Sequence, residues 1–525
     1  MQIIKPIFIW MLVLIIASCN SNSNPPVTEV VENQEQHRPQ FHFSPKEKWM
    51  NDPNGMVYYN GEYHLFFQHY PDSTVWGPMH WGHAVSKNMV DWEYLPIALY
   101  PDSLGMIFSG SAVLDQNNTS GLGKDGQAPL VAIFTYHDAN GEKAQKIDYQ
   151  TQGIAFSTDN GRTWTKYADN PVLKNPGIKD FRDPKVMWHE PTQKWIMALA
   201  VQDHIAFYSS PDLKNWALES EFGKNIGTHG GVWECPDLFQ LPVEGSNESK
   251  WILFVSINPG GLQGGSATQY FIGSFDGKTF TLDDPKQATL WLDYGRDNYA
   301  GVTWSNIPKE DGRRLFLGWM GNWQYAQTVP TEKWRSAMTL PRVLTLHNTP
   351  VGHRLFSTPV KELETLRDQS FTLNDKTLEG SLDLTTQLGF SPTLMEAILE
   401  FDLSQAATAD IGIELSNSKG ERYRLGYDAT KKQFYSNRLE SGKKDFSEFF
   451  TDKIHVGPRN LNESTVKLHI FFDVASAELF ADNGAMVMTD IFFPNEDYNK
   501  IKIYSEKGAA QLKSANFYAL KSIWK

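Results

Sequence analysis

The absence of long helical periodicity is the feature that most restricts the fold of this chain. From residue 41 to about 342, short apolar or alternating runs recur instead, each bounded by Gly, Pro, Asn or Asp. Runs of this length with such boundaries are typical of β-strands. The clearest runs are residues 56–59, 63–67, 130–135, 195–200, 251–256 and 315–319. The sequence therefore predicts an all-β protein.

A weak internal repeat narrows the architecture further. Each copy is a strand ending in Ser, a polar turn with Asp or Asn, and an aromatic residue that opens the next strand. The aromatic residues are Trp92, Trp164, Trp216 and Phe280. Their intervals of roughly 50 to 70 residues suit four-stranded propeller blades better than compact repeats. About 300 residues at about 60 per blade predict a five-bladed β-propeller over residues 41–349.

The pattern changes after this region. Residues 350–368 contain a turn and a helix-capable segment, which predicts a linker. Short strand-like runs then resume over residues 369–525, at a spacing typical of antiparallel sheets. The sequence therefore predicts a C-terminal β-sandwich, in which no catalytic group of residues is evident.

Three stretches combine a carboxylate with proline and aromatic neighbours. In residues 49–55, WMNDPNG, Pro53 and the Asn54-Gly55 pair predict a chain reversal that holds Asp52 on rigid backbone. FRDP places Asp183 beside Arg182, and WECPDLF places Glu234 beside Cys235. Wide spacing of such similar stretches suggests one site assembled from separate units. The alternatives are an ordinary β-turn at Asp52 and a local Arg182–Asp183 ion pair.

These three motifs resemble the signatures of family 32 glycoside hydrolases, the β-fructosidases that include invertases, inulinases and levanases. The resemblance extends into the C-terminal part, because those enzymes also carry a C-terminal sandwich. The stretches DNYAGVTWSNIP and GWMGNWQYAQTVPTEKWRSAMTLPR resemble levanases and bacterial exo-inulinases more than plant invertases.

Cleavage of a glycosidic bond needs at least two carboxyl groups in different protonation states. Asp52 suits the ionised role, because Asn51 and turn amides can donate hydrogen bonds to it. Glu234 suits the acid role, because Trp233 and Cys235 make its surroundings apolar. The resemblance implies the same assignment, with retention of configuration through a covalent fructosyl-enzyme and carboxyl groups about 5–5.5 Å apart. It also implies that Asp183 binds sugar hydroxyls and stabilises the transition state.

Further positions match the family's substrate contacts, although core packing is the alternative for each aromatic residue. The residues predicted to bind substrate are Trp49, Asn51, Gln68, Trp76, Phe108, Ser109, Arg182, Tyr299 and Trp319.

The N-terminus reads as a targeting segment rather than as part of the fold. Lys5 precedes an apolar run over residues 7–16, which ends in Ile-Ala-Ser-Cys19, a pattern that resembles a bacterial lipoprotein box. We therefore predict a lipoprotein signal peptide over residues 1–19, lipidation at Cys19 and a flexible polar tether over residues 20–40. An ordinary signal peptide with a chance cysteine is the alternative. The prediction places the protein outside the cytoplasm, anchored by lipid to a bacterial membrane on its periplasmic side or at the cell surface.

Charge and motif content exclude several other classes of function. The net charge of −13 argues against nucleic acid and anionic lipid as partners. His80 and His83 are three residues apart, but no third ligand follows at a suitable spacing, so no metal site is predicted. No phosphate-binding loop or dinucleotide motif is present, and no cofactor is expected.

The resulting hypothesis is a hydrolase that removes terminal fructose from levan or inulin, and from sucrose. An endo-levanase and a fructosyltransferase share the same motifs. A non-catalytic lipoprotein that binds fructan is the third alternative, although none of its three motif carboxylates is lost. The sequence does not decide linkage preference, oligomeric state or which membrane face is occupied.

Overall fold

A computed structural model of the chain describes residues 35–524. Within this range almost all regular structure is β-strand, which confirms the all-β prediction. The helical elements are one short α-helix, α1 (Ala139–Lys143), and the 3₁₀ turns Glu190–Thr192, Lys361–Leu366 and Asp482–Gly484. The predicted signal peptide, Cys19 and residues 20–34 of the predicted tether lie outside the described residues. The tether was predicted to continue to residue 40, which is wrong at its end, because His37 and Arg38 are buried. No helix between residues 35 and 524 is long and apolar enough to cross a membrane.

Five antiparallel sheets, each formed mainly by consecutive strands, make up the first part of the fold. Blade 1 contains β1 (Lys48–Tyr59), β2 (Glu62–Tyr70), β3 (His80–Ser86) and β4 (Trp92–Leu99). Blade 2 contains β5 (Met106–Leu114), β6 (Leu130–His137), β7 (Gln150–Ser157) and β8 (Thr165–Lys166). Blade 3 contains β9 (Phe181–His189), β10 (Lys194–Val201), β11 (His204–Ser210) and β12 (Ala217–Phe222).

The last two blades are slightly larger. Blade 4 contains β13 (Val232–Pro242), β14 (Ser249–Asn258), β15 (Ala267–Phe275), β16 (Phe280–Leu282) and β17 (Leu290–Trp291). Blade 5 contains β18 (Tyr299–Thr303), β19 (Arg314–Met320), β21 (Ala337–Met338), β22 (Arg342–Thr349) and β23 (Gly352–Pro359), while β20 (Trp334–Arg335) pairs in parallel with β1.

The first strand of each blade lies innermost, and these five strands form a closed ring. β1 contacts β5, β5 contacts β9, β9 contacts β13, β13 contacts β18, and β18 contacts β1. The ring closes through Ser305, whose backbone N–H donates to Met56 O at 3.0 Å and whose carbonyl accepts from Tyr58 N at 3.0 Å. The five-bladed propeller prediction is therefore confirmed.

The position of the middle strands within the blades explains why their sequences are continuously apolar. Every residue of β6, LVAIFTYH, is buried, and seven of the eight residues of β10 are buried. A strand in this position packs on both faces against neighbouring blades, so neither face carries a polar stripe.

One domain limit differs from the prediction. The segment predicted as a linker, residues 350–368, contains β23, which pairs with β22 along its whole length. The Pro350-Val351 turn therefore closes a hairpin of blade 5, and the propeller continues to Pro359. Only the 3₁₀ turn Lys361–Leu366 connects the two parts.

The C-terminal part forms two sheet layers around a common apolar core. Its strands are β24 (Arg367–Asp383), β25 (Met395–Asp402), β26 (Asp410–Ser416), β27 (Arg422–Asp428), β28 (Gln433–Glu440), β29 (His455–Pro458), β30 (Thr465–Asp473), β31 (Ser476–Ala481), β32 (Met486–Ile491) and β33 (Lys500–Leu520). β33 belongs to both layers, since residues 500–506 pair with β26 and residues 511–519 with β25. Lys507 and Gly508, with φ of 61° and 155°, lie at the crossing.

Buried ion pairs join the propeller to the sandwich. The Arg342 guanidinium contacts Asp293 at 3.1 Å and Glu478 at 2.5 Å, and the Arg438 guanidinium contacts Asp297 at 2.6 Å. Removing one partner of such a pair leaves a buried charge uncompensated, which typically costs about 3–5 kcal/mol. These pairs therefore hold the two parts in one fixed arrangement.

His42 makes a further buried link, which predicts a pH-dependent stability. Its Nδ1 lies 2.7 Å from Asp473 and its Nε2 lies 3.0 Å from Glu478, and all three side chains are buried. Burial alone would lower the pKa of His42, but the two carboxylates outweigh burial and raise the pKa to about 9.

Because the folded-state pKa is raised, the stabilisation is complete below pH 6.5 and is lost as the pH rises through 9. We expect the free energy of unfolding to fall by about 3 kcal/mol across this interval, as measured by urea denaturation at a series of pH values. His42→Gln should remove that slope, whereas His353→Gln, at a half-buried position of β23 in blade 5, should keep it. An unchanged slope in His42→Gln would contradict the assignment.

Candidate active site

Each inner strand of the propeller carries an irregularity in the same half of the strand. The pairing register of β1, β5, β9, β13 and β18 shifts at residues 51–52, 108–109, 183–184, 235–236 and 300–301, respectively. Bulges of this kind re-aim side chains and are frequent next to active sites. At three of them a residue other than glycine has positive φ: Asp183 at 65°, Cys235 at 44° and Ala300 at 53°. The ring thereby turns several polar side chains toward one end of its axis.

The local structure around Asp52 differs from the predicted chain reversal. Residues 49–55 continue through β1, with register shifts on both sides of Pro53-Asn54. Gly55 adopts a φ of 53°, and a Cβ there would lie 2.6 Å from the Phe66 ring, so glycine is required. Pro53 and Gly55, which suggested a turn, therefore lie in a bulged strand, because both residue types also occur at bulges.

Asp52 is half-buried and held by two side-chain donors. Asn51 Nδ2 donates to its Oδ1 at 2.9 Å, and Ser109 Oγ donates to its Oδ2 at 2.7 Å. Asn51 is itself oriented by Trp49, whose indole N–H donates to its Oδ1 at 2.7 Å. The carboxylate thus has one fixed donor on each oxygen.

Glu234 is half-buried and is held by different groups. Arg182 donates from Nε and Nη2 to Oε1 at 3.2 and 3.0 Å, and the Tyr299 hydroxyl donates to Oε2. Asp180 orients Arg182 from the other side, at 2.7 Å. Blades 3, 4 and 5 therefore jointly fix the position of this carboxyl group.

Asp183 and the thiol of Cys235 connect the two carboxylates. Cys235 Sγ lies 3.6 Å from Asp52 Oδ2 and 3.6 Å from Asp183 Oδ2, within reach of an S–H donor. The Cys235 backbone N–H donates to Asp183 Oδ2 at 3.1 Å. Asp52 and Asp183 therefore meet at one thiol, and Glu234 lines the same cavity as both of them.

The clustering of carboxyl groups changes their proton affinity. Burial raises the pKa of Asp52, against the hydrogen bond from Ser109, and the charge of Glu234 adds to the rise. Burial raises the pKa of Asp183 to about 7, with Arg182 opposing the rise and the charges of Glu234 and Asp52 adding to it. Burial and the same negative charges raise the pKa of Cys235 well above its ordinary value, so the thiol is neutral. The donors predicted to favour the ionised form of Asp52 do lower its pKa, but burial outweighs them.

These groups line a cavity of about 240 Å³ at the mouth of the propeller axis. Six of the nine predicted substrate contacts line it, namely Asn51, Gln68, Trp76, Phe108, Ser109 and Arg182. Seven further residues line the cavity that no sequence motif predicted, namely His137, Glu142, Tyr149, Gln150, Asp180, Asn258 and Trp323. Asp180 was open to prediction from its place beside FRDP, whereas the others carry no local signal. Among the described residues, no group of three or more His, Cys, Asp or Glu side chains is arranged to hold a metal ion.

The other three predicted contacts lie behind the cavity wall. Trp49 and Trp319 are fully buried and pack against Trp323, with ring centroids 5.8 and 5.0 Å away. Direct substrate contact by these two rings is therefore not supported, since Trp323 stands in front of them. Tyr299 is also buried and reaches the site only through its hydroxyl on Glu234.

Comparison with known proteins places this architecture and site in a family. Residues 42–359 match the model of the glycosyl hydrolases family 32 N-terminal domain, and residues 362–519 match the family 32 C-terminal model. The chain belongs to glycoside hydrolase family 32. It is therefore a glycoside hydrolase, as the three motifs predicted.

Relatives of this family 32 chain are similar over nearly its whole length. A levanase of Bacillus subtilis is 49% identical over 491 residues, covering 93% of this chain and 71% of the relative. An extracellular exo-inulinase of Aspergillus awamori is 40% identical over 530 residues, covering 95% of this chain and 97% of the relative.

Two solved structures agree with the fold. The crystal structure of the Aspergillus awamori exo-inulinase superposes with a TM-score of 0.85 at 38% identity, covering 94% of this chain and 100% of that one. A fructofuranosidase from Schwanniomyces occidentalis, complexed with fructose, superposes with a TM-score of 0.83 at 34% identity, covering 94% of this chain and 100% of that one.

Proposed function

We propose that this chain is a retaining β-fructosidase that releases terminal β-D-fructofuranosyl units from levan or inulin, and from sucrose. The observation that carries the proposal is that Asp52, Asp183 and Glu234 all line one small cavity. The activities printed for the relatives, levanase and exo-inulinase, support the substrate class.

In the proposed mechanism Asp52 is the nucleophile. One of its oxygens attacks the anomeric carbon of the bound fructosyl unit, the bond to the leaving oxygen breaks, and Glu234 transfers its proton to that oxygen. Water then attacks the same carbon, gives its proton to Glu234 and releases Asp52. Ser109 and Asn51 keep the Asp52 carboxylate aimed through both steps, because each holds one of its oxygens.

Asp183 has a different role in this scheme. Its Oδ2 accepts from the Cys235 backbone, and its own backbone N–H donates to Thr135 Oγ1 at 3.0 Å. A carboxyl group held this way, with its pKa at about 7, can accept from sugar hydroxyls or donate to them. We therefore assign it to binding the fructosyl hydroxyls as positive charge develops on the ring.

The size of the cavity favours removal of single units. About 240 Å³ is below the roughly 300–1,000 Å³ of pockets that hold drug-sized ligands. Trp76 and Phe108 stand at its mouth with ring centroids 6.0 Å apart, and Trp76 is 36% exposed. A pocket that holds one sugar unit with an aromatic rim suits a chain end better than an internal segment.

The product profile on levan, inulin and sucrose tests this proposal. Release of fructose alone from the start of the reaction is expected, and the relative rates identify the preferred linkage. A ladder of oligosaccharides would instead identify an endo-acting enzyme, and an absence of products would leave only a binding function. With methanol as acceptor, a retaining enzyme gives methyl β-fructofuranoside, whereas an inverting enzyme does not.

Tyr299→Phe tests how Glu234 is positioned. Loss of the hydroxyl on Glu234 Oε2 should lower kcat on sucrose by about 10-fold, because a misplaced acid transfers its proton less efficiently. The value of kcat on an aryl β-fructofuranoside should fall much less, because its phenolate leaves without protonation.

Tyr325→Phe is the matched control, because that hydroxyl also donates to a buried carboxylate, Asp297 at 2.6 Å, but away from the cavity. Tyr325→Phe should lower the melting temperature without changing the ratio of kcat on sucrose to kcat on the aryl β-fructofuranoside. Equal losses on both substrates in Tyr299→Phe would contradict a positioning role.

We also propose export and lipid anchoring through Cys19. The lipobox-like Ile-Ala-Ser-Cys19 supports this, and the exo-inulinase relative is named as extracellular. Cys235 is the other cysteine of the chain, and it is buried. In a bacterial host, labelled palmitate should enter the wild-type protein but not Cys19→Ala, which should appear in the soluble fraction. Equal labelling of both would contradict the anchor.

A further inference from the structure

A second cavity lies at the other ends of the inner strands, away from the catalytic carboxylates. Its volume is about 350 Å³, within the range of ligand-binding pockets. Residues of blades 2, 3, 4 and 5 line it, including Lys185, Asp237 and Arg314. None of the residues that line the first cavity lines this one.

A buried polar group forms the inner wall of this second cavity. Lys185 Nζ donates to Thr303 O at 2.6 Å and lies 3.1 Å from Asp237 Oδ2, which also accepts from the backbone and hydroxyl of Thr303. The other oxygen of Asp237 is buried and has no hydrogen-bond partner. Asp237 therefore balances the charge of Lys185, while its Oδ1 accepts no hydrogen bond.

Arg314 contributes an unused donor to the same cavity. Within residues 35–524 Arg314 makes no side-chain hydrogen bond or ion pair, and its guanidinium carbon lies 5.0 Å from the centroid of the Phe239 ring. Burial lowers the pKa of Arg314, partly offset by the charge of Asp237. Arg314 is half-buried and lines the cavity, so its unused donors favour a ligand that supplies an acceptor.

Aromatic rings form the remaining wall. Trp188 and Trp251 are half-buried in the adjacent blades 3 and 4, and Trp195 packs edge-on against Trp188 at 5.1 Å. Large flat apolar surfaces beside an unused donor match a sugar ring, which carries C–H groups on its face and hydroxyls at its edge.

We propose that this cavity is a second saccharide-binding site, separate from the catalytic one, that holds a neutral fructosyl unit. A hydroxyl of the sugar accepts from Arg314, and the ring lies against the tryptophans. The unpartnered oxygen of Asp237 disfavours a small anion, because the two negative charges would repel each other. The choice of fructose rests on the proposed function, whereas the existence of the site does not.

Calorimetric titration of the full chain with fructose tests the proposal, because fructose is not consumed by a hydrolase. Two fructose molecules per chain are expected. Arg314→Met should weaken one of the two binding events by about 10- to 100-fold, since it removes a charged donor, and should leave the rate of sucrose hydrolysis unchanged. Trp188→Leu should weaken the same event independently.

Arg354→Met, in the same blade but outside the cavity, is the matched control and should still bind two molecules. One fructose per chain with no effect of Arg314→Met would overturn the proposal, as would binding of sulfate in preference to fructose. Failure of the proposed function has a different signature, namely no release of fructose from levan, inulin or sucrose whatever the number of binding sites.

Discussion

Asp52→Asn should lower kcat on levan, inulin and sucrose by on the order of 10⁴-fold or more, because it removes the proposed nucleophile while keeping its shape. The same loss is expected on an aryl β-fructofuranoside, since a better leaving group cannot replace an attacking oxygen. Steady-state kinetics on both kinds of substrate measure this.

The folded state should not suffer from this change. Burial and the charge of Glu234 both raise the pKa of Asp52, so a neutral amide at this position removes an unfavourable charge. The melting temperature of Asp52→Asn should therefore equal or exceed that of the wild type. Asp91 is an exposed carboxylate of the same blade, and Asp91→Asn should change neither kcat nor the melting temperature. Residual turnover within 100-fold of the wild type would reject Asp52 as the nucleophile.

Replacing Glu234 should produce a loss that depends on the substrate. Glu234→Gln should lower kcat on sucrose and fructans by about 10²–10⁴-fold, the usual contribution of general acid catalysis. On the aryl β-fructofuranoside the first step needs no protonation, so the loss there should be much smaller. Single-turnover measurements of phenol release separate the two steps.

Glu234→Ala gives a second test, because it opens space beside the site. Azide should then replace water without needing a base, giving fructosyl azide and restoring turnover of the aryl substrate. Asp52→Asn is the comparison variant and should show no rescue. Equal losses of Glu234→Gln on sucrose and on the aryl substrate would exclude Glu234 as the acid.

The contrast between these two variants follows from how each carboxyl group is held. The donors to Asp52 are all neutral, whereas Glu234 accepts from the charged Arg182 and from Tyr299. The surroundings of Glu234 are therefore more polar than its neighbours Trp233 and Cys235 suggested. Trp233 is fully buried and donates to Thr228 O, away from the carboxyl group.

Much of the fold was predictable because it depends on local patterns. Strand runs bounded by turn residues, and a hairpin repeated at intervals of roughly 50 to 70 residues, identify propeller blades without any long-range information. The continuous apolar run of β6 already indicates a strand buried on both faces. The limit at residue 349 was wrong because Pro350-Val351 has the same local features whether it ends a domain or closes a hairpin.

The sequence alone determined the three carboxylates, their motifs and the class of chemistry, because short motifs carry residue types at fixed spacing. It did not reveal that Asp52 lies in a bulged strand, since Pro and Gly suit bulges as well as turns. Nor did it separate Trp323, which lines the cavity, from Trp319, which lies behind it. Only the closed ring of five inner strands brings Asp52, Asp183 and Glu234 to one cavity and buries the two aspartates enough to shift their pKa. The reason is physical: burial and charge coupling arise between blades, and no single stretch of the chain contains them.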